Sequence, residues 1–541
     1  MKRVISFIMV ASMLASLFLL VSCTPSATDG NDGTEESSTA EDAANEEQLN
    51  VVDDNYRNWY EIFVYSFYDS DNDGVGDLRG VIKKLDYIKD LGFNGIWLMP
   101  IHPSPTYHKY DVKDYYAIDP EYGTLDDLKE LVAEAHKRDI NVILDLVVNH
   151  TASANPWFVE ACDYIRENGE PGGAYGDFYN FTESNLGSGY STVSGTSYFY
   201  ESRFWSGMPD LNLDSEAVRD EIVNIMTYWL RDYDVDGFRL DAVTSYYTGN
   251  VPKNVEFISW LNTEAKKIKS DCYIVGEAWE GTDFQINQYY ESGADSFFLF
   301  TGAMAEGQIA SVVRFQNGKM LGEWMEKLQT TYTQGILAPF LANHDNMRPG
   351  SFMADEESLK MAAGILSMMN GSVFVYYGEE IGMISKNGAN SDPAKRIGMK
   401  WEKKFIHEGY CTQSPEGTPV DASSYLYPSV AEQMADESSI LNYYKQAMKL
   451  RNMFPSIARG EVEYIPVEGN SYLCVIRKTY GDEQITIVYN LDSFEQTLTI
   501  GDSLLGSGEV VGELYASDTG AKVEVGDGSI TLPPSSIVIF K

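Results

Sequence analysis

The chain has 541 residues, room for more than one folding unit, and with 44% hydrophobic and 22% charged residues it has the composition of a globular protein with a sizeable core. Its 81 acidic residues against 40 basic ones leave a net charge of −41, which repels nucleic-acid phosphates and anionic membrane and excludes a nucleic-acid-binding role. Five cysteines, at positions 23, 162, 272, 411 and 474, exclude a disulfide-dense scaffold and show no metal-type spacing.

Lys2 and Arg3 precede an apolar run from Val4 to Val21. A basic head, an apolar stretch and then small residues is the order of a secretory signal. The competing reading is an uncleaved membrane anchor, since the run is about long enough to span. Leu20-Val21-Ser22-Cys23 favours the signal, because it resembles the bacterial lipobox, whose cysteine is diacylated and becomes the mature N-terminus. Thr24 to Asn50 carries eight acidic residues, no basic one, and many Ser, Thr, Ala and Gly. Nothing in it can bury a core. Residues 1–22 are therefore expected as signal peptide and residues 23–55 as a lipidated, disordered acidic tether. The body would then sit outside a bacterial cell, in contact with the membrane only through the lipid on Cys23.

From Tyr56 onward, short apolar runs alternate with amphipathic helical stretches. The runs are Glu61–Ser66, Gly95–Met99, Asn141–Val148, Gly237–Ala242, Cys272–Gly276, Ser296–Phe300, Leu337–Ala342 and Ser372–Tyr377. Between the first two, Leu78, Ile82, Leu85, Ile88 and Leu91 recur at helical spacing. Near-continuous apolar strands alternating with helices argue for a parallel sheet covered by helices. Eight such units predict a closed (β/α)8 barrel. A doubly wound sheet would want a Gly-rich phosphate loop after the first strand, and none is present. The connection from Val148 to Asp236 is too long for a simple crossover. Part of it reads as a helix, roughly Ser215–Tyr233; the rest, rich in Gly, Ser, Asn and aromatics, is expected to be a small inserted domain over 150–212. The barrel is then expected over 56–149 and 213–456, ending with a helix at Ser439–Met453. Residues 457–541, with strand-like Tyr472–Arg477, Gln484–Tyr489 and Ile537–Phe540, are expected as an antiparallel β-sandwich.

In such a barrel the reacting groups stand at the C-terminal ends of the strands. The third strand ends in Asp145-Leu-Val-Val-Asn149-His150, the fourth in Arg239-Leu240-Asp241, the fifth in Gly276-Glu277-Ala278-Trp279 and the seventh in Asn343-His344-Asp345-Asn346. A single carboxylate at such a position is as readily a helix cap. Carboxylates, two histidines and an arginine from four distant segments are not explained that way. Two carboxylates about 5–5.5 Å apart are the geometry of retaining glycoside hydrolysis. Arg239 lies two residues before Asp241, so on a strand both point to the same side. A second constellation, Asp69-Ser-Asp71-Asn-Asp73-Gly74-Val75-Gly76-Asp77, sets carboxylates at alternate positions with Gly for a tight turn. Hard oxygen ligands on such a loop suit Ca²⁺; it opens like an EF-hand loop but has Gly80 where the twelfth-position Glu would stand. The bland reading is a solvated acidic turn.

These four strand-end segments resemble the conserved regions of the α-amylase family, glycoside hydrolase family thirteen. The resemblance extends to Met208-Pro209-Asp210-Leu211-Asn212 and to Gly371–Gly382, and covers nearly all of Tyr56 to Lys541. It implies Asp241 as nucleophile, Glu277 as general acid and then base, and Asp345 as the carboxylate that holds sugar hydroxyls and favours the distorted transition state. It implies that Arg239 orients the nucleophile, that His150 and His344 donate to hydroxyls, and that Tyr110 stacks on the same sugar. It implies Asp69, Asp71, Asp73, the Val75 carbonyl and Asp77 as ligands of a Ca²⁺ or Mg²⁺ ion, and allows a second Ca²⁺ at Asn149 and Asp210. Trp205, Tyr246, Tyr247 and Trp279 are candidate sugar platforms, each as readily packing.

Two positions depart from the pattern. Thr244-Ser245 replaces a common Lys-His pair after the nucleophile, and Lys109 replaces the Gly that commonly precedes the stacking Tyr. The Met208–Asn212 segment looks intermediate between the oligo-1,6-glucosidase and neopullulanase types. The expectation is a monomeric, endo-acting hydrolase of α-1,4-glucans. An α-glucosidase, a cyclomaltodextrinase or neopullulanase, a 4-α-glucanotransferase, or a non-catalytic surface glycan-binding protein are the alternatives.

Overall fold

The computed structural model describes residues 50–541, apart from 51, 53, 386–390, 405, 418–424, 500–507, 518–519 and 527. The expected signal segment, Cys23 and the tether up to residue 49 lie outside the described residues. Among the described residues no helix is long and apolar enough to cross a membrane.

Eight parallel strands form the barrel: Trp59–Ile62, Gly95–Leu98, Asn141–Leu146, Gly237–Leu240, Tyr273–Gly276, Ser296–Phe298, Ile336–Ala338 and Phe374–Tyr376. They pair in sequence order, and the eighth also pairs with the first. A bridge between Phe340 and Phe374 joins the seventh to the eighth and completes the ring. Most strand residues are buried on both faces, as expected where helices cover the outside and side chains fill the inside. The interior filling is aromatic. Trp59 stacks on Tyr273 and Phe374 at ring separations of 5.0 and 5.8 Å, and Trp97 meets Phe298 at 5.4 Å. This layer is the floor on which the polar rim stands.

The observed first strand is earlier and shorter than the predicted Glu61–Ser66. It stops at Ile62, and Val64–Ser66 is a buried 3-10 turn. A short apolar run reports burial, which a strand and a covered turn share. The predicted helix over Ser215–Tyr233 is α-helical at Glu216–Thr227 and widens to a π-helical turn at Tyr228–Asp232. The expected tether also ends earlier than residue 55. Asn50 donates its backbone N–H to Asp234 at 2.9 Å and its side-chain amide to Asp236 at 2.7 Å, and Val52 is buried. Those acceptors precede the fourth strand, so the chain is pinned at the N-terminal face of the barrel, opposite the rim.

After the third strand, the helix Pro156–Asn168 and a small antiparallel sheet of Phe181–Thr182, Phe199–Glu201 and Tyr190–Thr192 form the inserted lobe. Bridges between His150 and Asp210, and between Tyr179 and Leu211, tie both ends of the lobe together at the rim. The C-terminal region has a five-stranded and a three-stranded antiparallel sheet. Val475, Val488, Val538 and Phe540 of the first face Leu498, Ile530 and Leu532 of the second in one buried cluster, which makes the pair a sandwich.

Gly237 opens the fourth strand with φ +150°, and a Cβ there would meet the Tyr273 carbonyl oxygen at 1.9 Å. Gly237→Ala is expected to destabilise the fold by about 1–3 kcal/mol, since both the backbone conformation and the fit disfavour a side chain. Chemical denaturation at fixed pH measures it; an unchanged midpoint would show that the strand can shift to admit the methyl group.

Candidate active site

Strand ends and connecting segments converge on a cavity of about 360 Å³, lined by Tyr110, His150, Asp241, Glu277, Asp345 and the side chains of Phe204, Trp205 and Trp279. Pleating explains why. Trp59 and Glu61, Arg239 and Asp241, and Val275 and Glu277 each lie two positions apart, so each pair shares a side. The lower member of each pair packs in the barrel and the upper one reaches its rim.

Arg239 is fully buried. Its Nη1 donates to Asp241 Oδ1 at 2.7 Å and to Asp145 Oδ1 at 2.8 Å, while Nη2 stands 3.1 Å from Glu277 Oε2. The guanidinium also lies 5.1 Å from the Trp97 ring centre. One cation thus hydrogen-bonds two carboxylates through Nη1 and forms an ion pair with the third, Nη2 making no hydrogen bond among the described residues. Ala242 follows with φ 49°, in the left-handed region that non-glycine residues seldom occupy. Its N–H donates to Glu277 Oε2 at 2.9 Å. Burial, opposed by Arg239 and assisted by Asp241 and Asp345, pushes Glu277 up to about 7. Burial likewise pushes Asp145 up to about 6 against the pull of Arg239.

A second group forms around Asp345. Arg396 Nη2 donates to its Oδ1 at 2.7 Å, His344 Nε2 lies 3.1 Å from its Oδ2, and Lys395 Nζ donates to its backbone carbonyl at 2.6 Å. Burial alone would raise this carboxyl, but His344 and Arg396 hold it far below the ordinary carboxylate range. Tyr110 stacks on His344 at 5.4 Å between ring centres and donates to Asp145 at 3.0 Å. His150 is buried beside Phe204, and its Nε2 has no hydrogen-bond partner among the described residues.

All seven side chains predicted for catalysis and sugar binding therefore meet at one place. Sequence reasoning assigned no role to Asp145, Glu61 or Arg396. Asp145 and Glu61 could have been found, since each sits on a barrel strand where a carboxylate would otherwise be unsatisfied. Arg396 offered no signal, because it comes from an irregular segment beyond the eighth strand. Of the candidate platforms, Trp205 and Trp279 are about half exposed at the cavity mouth, whereas Tyr246 packs on Phe257 and Tyr247 bonds to Asp214. Lys109, unusual before Tyr110, adopts φ 60° and buries its ammonium between Asp119, at 2.7 Å, and Glu121, at 2.9 Å. Those ion pairs hold the left-handed conformation that a glycine would adopt freely.

Residues 61–460 match the family model described as alpha amylase, catalytic domain. The chain belongs to the α-amylase family of glycoside hydrolases. It is 36% identical to "Alpha-amylase 3" of Dictyoglomus thermophilum over 90% of this chain and 93% of that protein. It is 29% identical to an oligo-1,6-glucosidase of Parageobacillus thermoglucosidasius over 82% of this chain and 92% of that one. Among solved structures, Eubacterium rectale Amy13B superposes with a TM-score of 0.84 at 40% identity, covering 91% of this chain and 96% of the other.

The acidic loop lies after the first strand. Carboxylate oxygens of Asp69, Asp71 and Asp77 lie within 4.8 Å of one another. Asp69 accepts the N–H groups of Asn72 at 2.6 Å and Gly74 at 2.8 Å, and Asp77 those of Ser70 and Gly80, both at 2.7 Å. Asp73 instead turns back to the N–H of Val75 at 2.8 Å and stays outside that cluster. All three clustered donors are hard oxygens, a set that fits Ca²⁺ or Mg²⁺. Asn149 and Asp210 meet as a hydrogen-bonded pair at 3.2 Å, and burial pushes Asp210 up to about 7.

Among the described residues, Arg396 is the cation from outside the strand ends that donates to the carboxylate of Asp345, Lys395 reaching only its backbone carbonyl. Arg396→Leu is expected to lower kcat/KM on maltooligosaccharides by about tenfold to a hundredfold, the worth of one charge-assisted hydrogen bond of roughly 1.5–3 kcal/mol. Steady-state kinetics with a circular-dichroism check of folding measures it; unchanged kcat/KM would remove Arg396 from the site.

Proposed function

We propose that this enzyme cleaves α-1,4-glucosidic bonds within starch, amylose and maltodextrin chains, with retention of configuration. The observation that carries the reading is Arg239 holding Asp241 and Glu277 through adjacent nitrogens while Glu277 is pushed up to about 7. One carboxylate is then paired with a cation, ready to act as nucleophile, and the other is available as an acid at neutral pH. Asp241 attacks the anomeric carbon as Glu277 gives its proton to the departing glycosidic oxygen. The bond from that carbon to the oxygen breaks and a glycosyl ester on Asp241 forms. Glu277, now ionised, takes a proton from water, whose oxygen attacks the anomeric carbon and frees Asp241. Asp345, kept ionised, would accept sugar hydroxyls, and His150, with Nε2 unpaired, would donate to one. Tyr110, walled by His344, would present its ring to the sugar.

Endo action is supported by the open mouth of the cavity, where Phe204, Trp205 and Trp279 are each about half exposed and could carry glucosyl units beyond the cleaved one. The likeness to the Dictyoglomus "Alpha-amylase 3" points the same way. Asp69, Asp71 and Asp77 would hold one Ca²⁺, tightening the loop that caps the following helix. The basic head, apolar run and Cys23 support export and lipid anchoring on the outside of a bacterial membrane.

Amylose digestion followed by chromatography and by proton NMR at early times is expected to give mixed maltooligosaccharides carrying the α-anomer. Glucose alone would indicate chain-end attack, lengthened chains a transferase, and the β-anomer would overturn retention. Glu277→Gln is expected to lose about 10²–10⁴-fold in kcat, and the native rate should fall as pH rises through about 7, because the acid form is then depleted.

Adding Ca²⁺ to chelator-treated protein is expected to raise the melting temperature, and Asp69→Asn/Asp71→Asn to abolish that rise. A melting temperature indifferent to Ca²⁺ in the unaltered protein would sink the metal assignment.

A further inference from the structure

Glu61 is almost fully buried on the first barrel strand and does not line the cavity. Its Oε1 lies 2.5 Å from Nδ1 of His344. On the other side of that ring, Nε2 lies 2.7 Å from the Tyr110 hydroxyl and 3.1 Å from Asp345 Oδ2. The Tyr110 hydroxyl is in turn 3.0 Å from Asp145 Oδ2.

Hydrogen-bond accounting fixes the protons. An ionised carboxylate only accepts. Tyr110 has one proton, and it is directed to Asp145, so its oxygen accepts from Nε2. The proton on Nε2 also faces Asp345. Nδ1 must carry a second proton, since its neighbour is the Glu61 carboxylate. With either nitrogen bare, a lone pair would face a buried acceptor, and an unmade bond there costs about 1–3 kcal/mol or more.

We propose that Glu61 is a positioning residue that fixes His344 as a doubly protonated cation and, through it, sets Tyr110 and Asp345 in register for a bound sugar. The inference rests on the α-glucan reading of the site. The groups facing His344 are Glu61 from the first strand, Tyr110 from the loop after the second, Asp145 from the third, Asp345 beside it, and Arg396, whose Nε donates to the His344 carbonyl at 3.1 Å. Trp97 covers the ring edge-on at 5.6 Å. Burial opposes a charge on the ring, but Asp345 and Glu61 override it and raise His344 to about 9. The cation therefore persists at neutral pH and is lost only as pH rises through about 9. An uncharged residue at position 61 would keep the shape and let the proton leave earlier.

The test uses the whole protein with ¹⁵N-labelled histidine, whose ring-nitrogen shifts report protonation directly. His344 is expected to show both ring nitrogens protonated at pH 7, and Glu61→Gln to lose one of them at lower pH than the unaltered protein does. A neutral His344 tautomer at pH 7 in the unaltered protein would overturn the proposal without any variant having to fold. In a Glu277→Gln background, which slows turnover by orders of magnitude and removes the titration of that acid, maltoheptaose binding is followed by calorimetry from pH 6 to 9. Adding Glu61→Gln is expected to weaken binding about tenfold at pH 8 while matching it at pH 6, the outcome of a His344 titration displaced downward by about two units from about 9. An equal loss at every pH would mean a packing role only and would also overturn it. If no maltoheptaose bound at any pH while His344 was doubly protonated, the α-glucan reading would fall and the charge assignment would stand.

Discussion

A guanidinium removed from water must be matched by negative charge, and in this protein that matching builds the site. Arg239 lies beneath the rim with Asp145, Asp241 and Glu277 around its donors. Removing any partner would leave a buried charge uncompensated, a penalty of about 3–5 kcal/mol. The same arrangement that satisfies the cation gives the carboxylates unequal environments. Asp241 receives a direct 2.7 Å hydrogen bond, while Glu277 is buried, farther from the cation and close to other carboxylates. That asymmetry sets two carboxylates of the same chemical type apart, as the proposed nucleophile and acid require.

The opposite wall follows the same logic with other residues. Asp345 is held by His344 and Arg396, and His344 is held by Glu61. The acidic loop and this wall share a scaffold. The Ser66 hydroxyl donates to the Arg396 carbonyl at 2.6 Å, and the Met399 N–H donates to Ser66 at 2.9 Å. Further on, Asp69 N–H donates to Gly409 at 3.0 Å and Gln413 N–H to Gly74 at 2.8 Å. The segment after the first strand therefore fastens the 396–413 stretch at one end beside Asp345 and at the other beside Asp69. Loops without regular structure are positioned here by hydrogen bonds to the turn and loop that follow the first strand, which is how a rigid barrel carries variable rims.

The barrel was legible because burial on both faces leaves near-continuous apolar runs, and eight of them recur between amphipathic helices. Asp241, Glu277 and Asp345 were legible because a strand end is a fixed address in this architecture. The limits of each strand were not. Ser66 and Val64 look like strand residues and lie in a buried turn, since hydrophobicity records the absence of water and not the backbone angles. Nor was the packing of Asn50 and Val52 legible, because an acidic, small-residue segment gives no sign of the carboxylates it will meet at Asp234 and Asp236.

The order of residues alone determined which side chains could share a face and which strand ends would carry carboxylates, because period-two pleating and helical spacing are local properties of the chain. It could not determine which of many charged groups would be neighbours. That Arg396 grips Asp345, that Glu61 faces His344, that Asp73 turns away from Asp69 and Asp77, and that Lys109 holds a left-handed turn by two ion pairs were decided only by the closed fold. Electrostatic energy depends on distance and burial, and both are set by residues tens or hundreds of positions away.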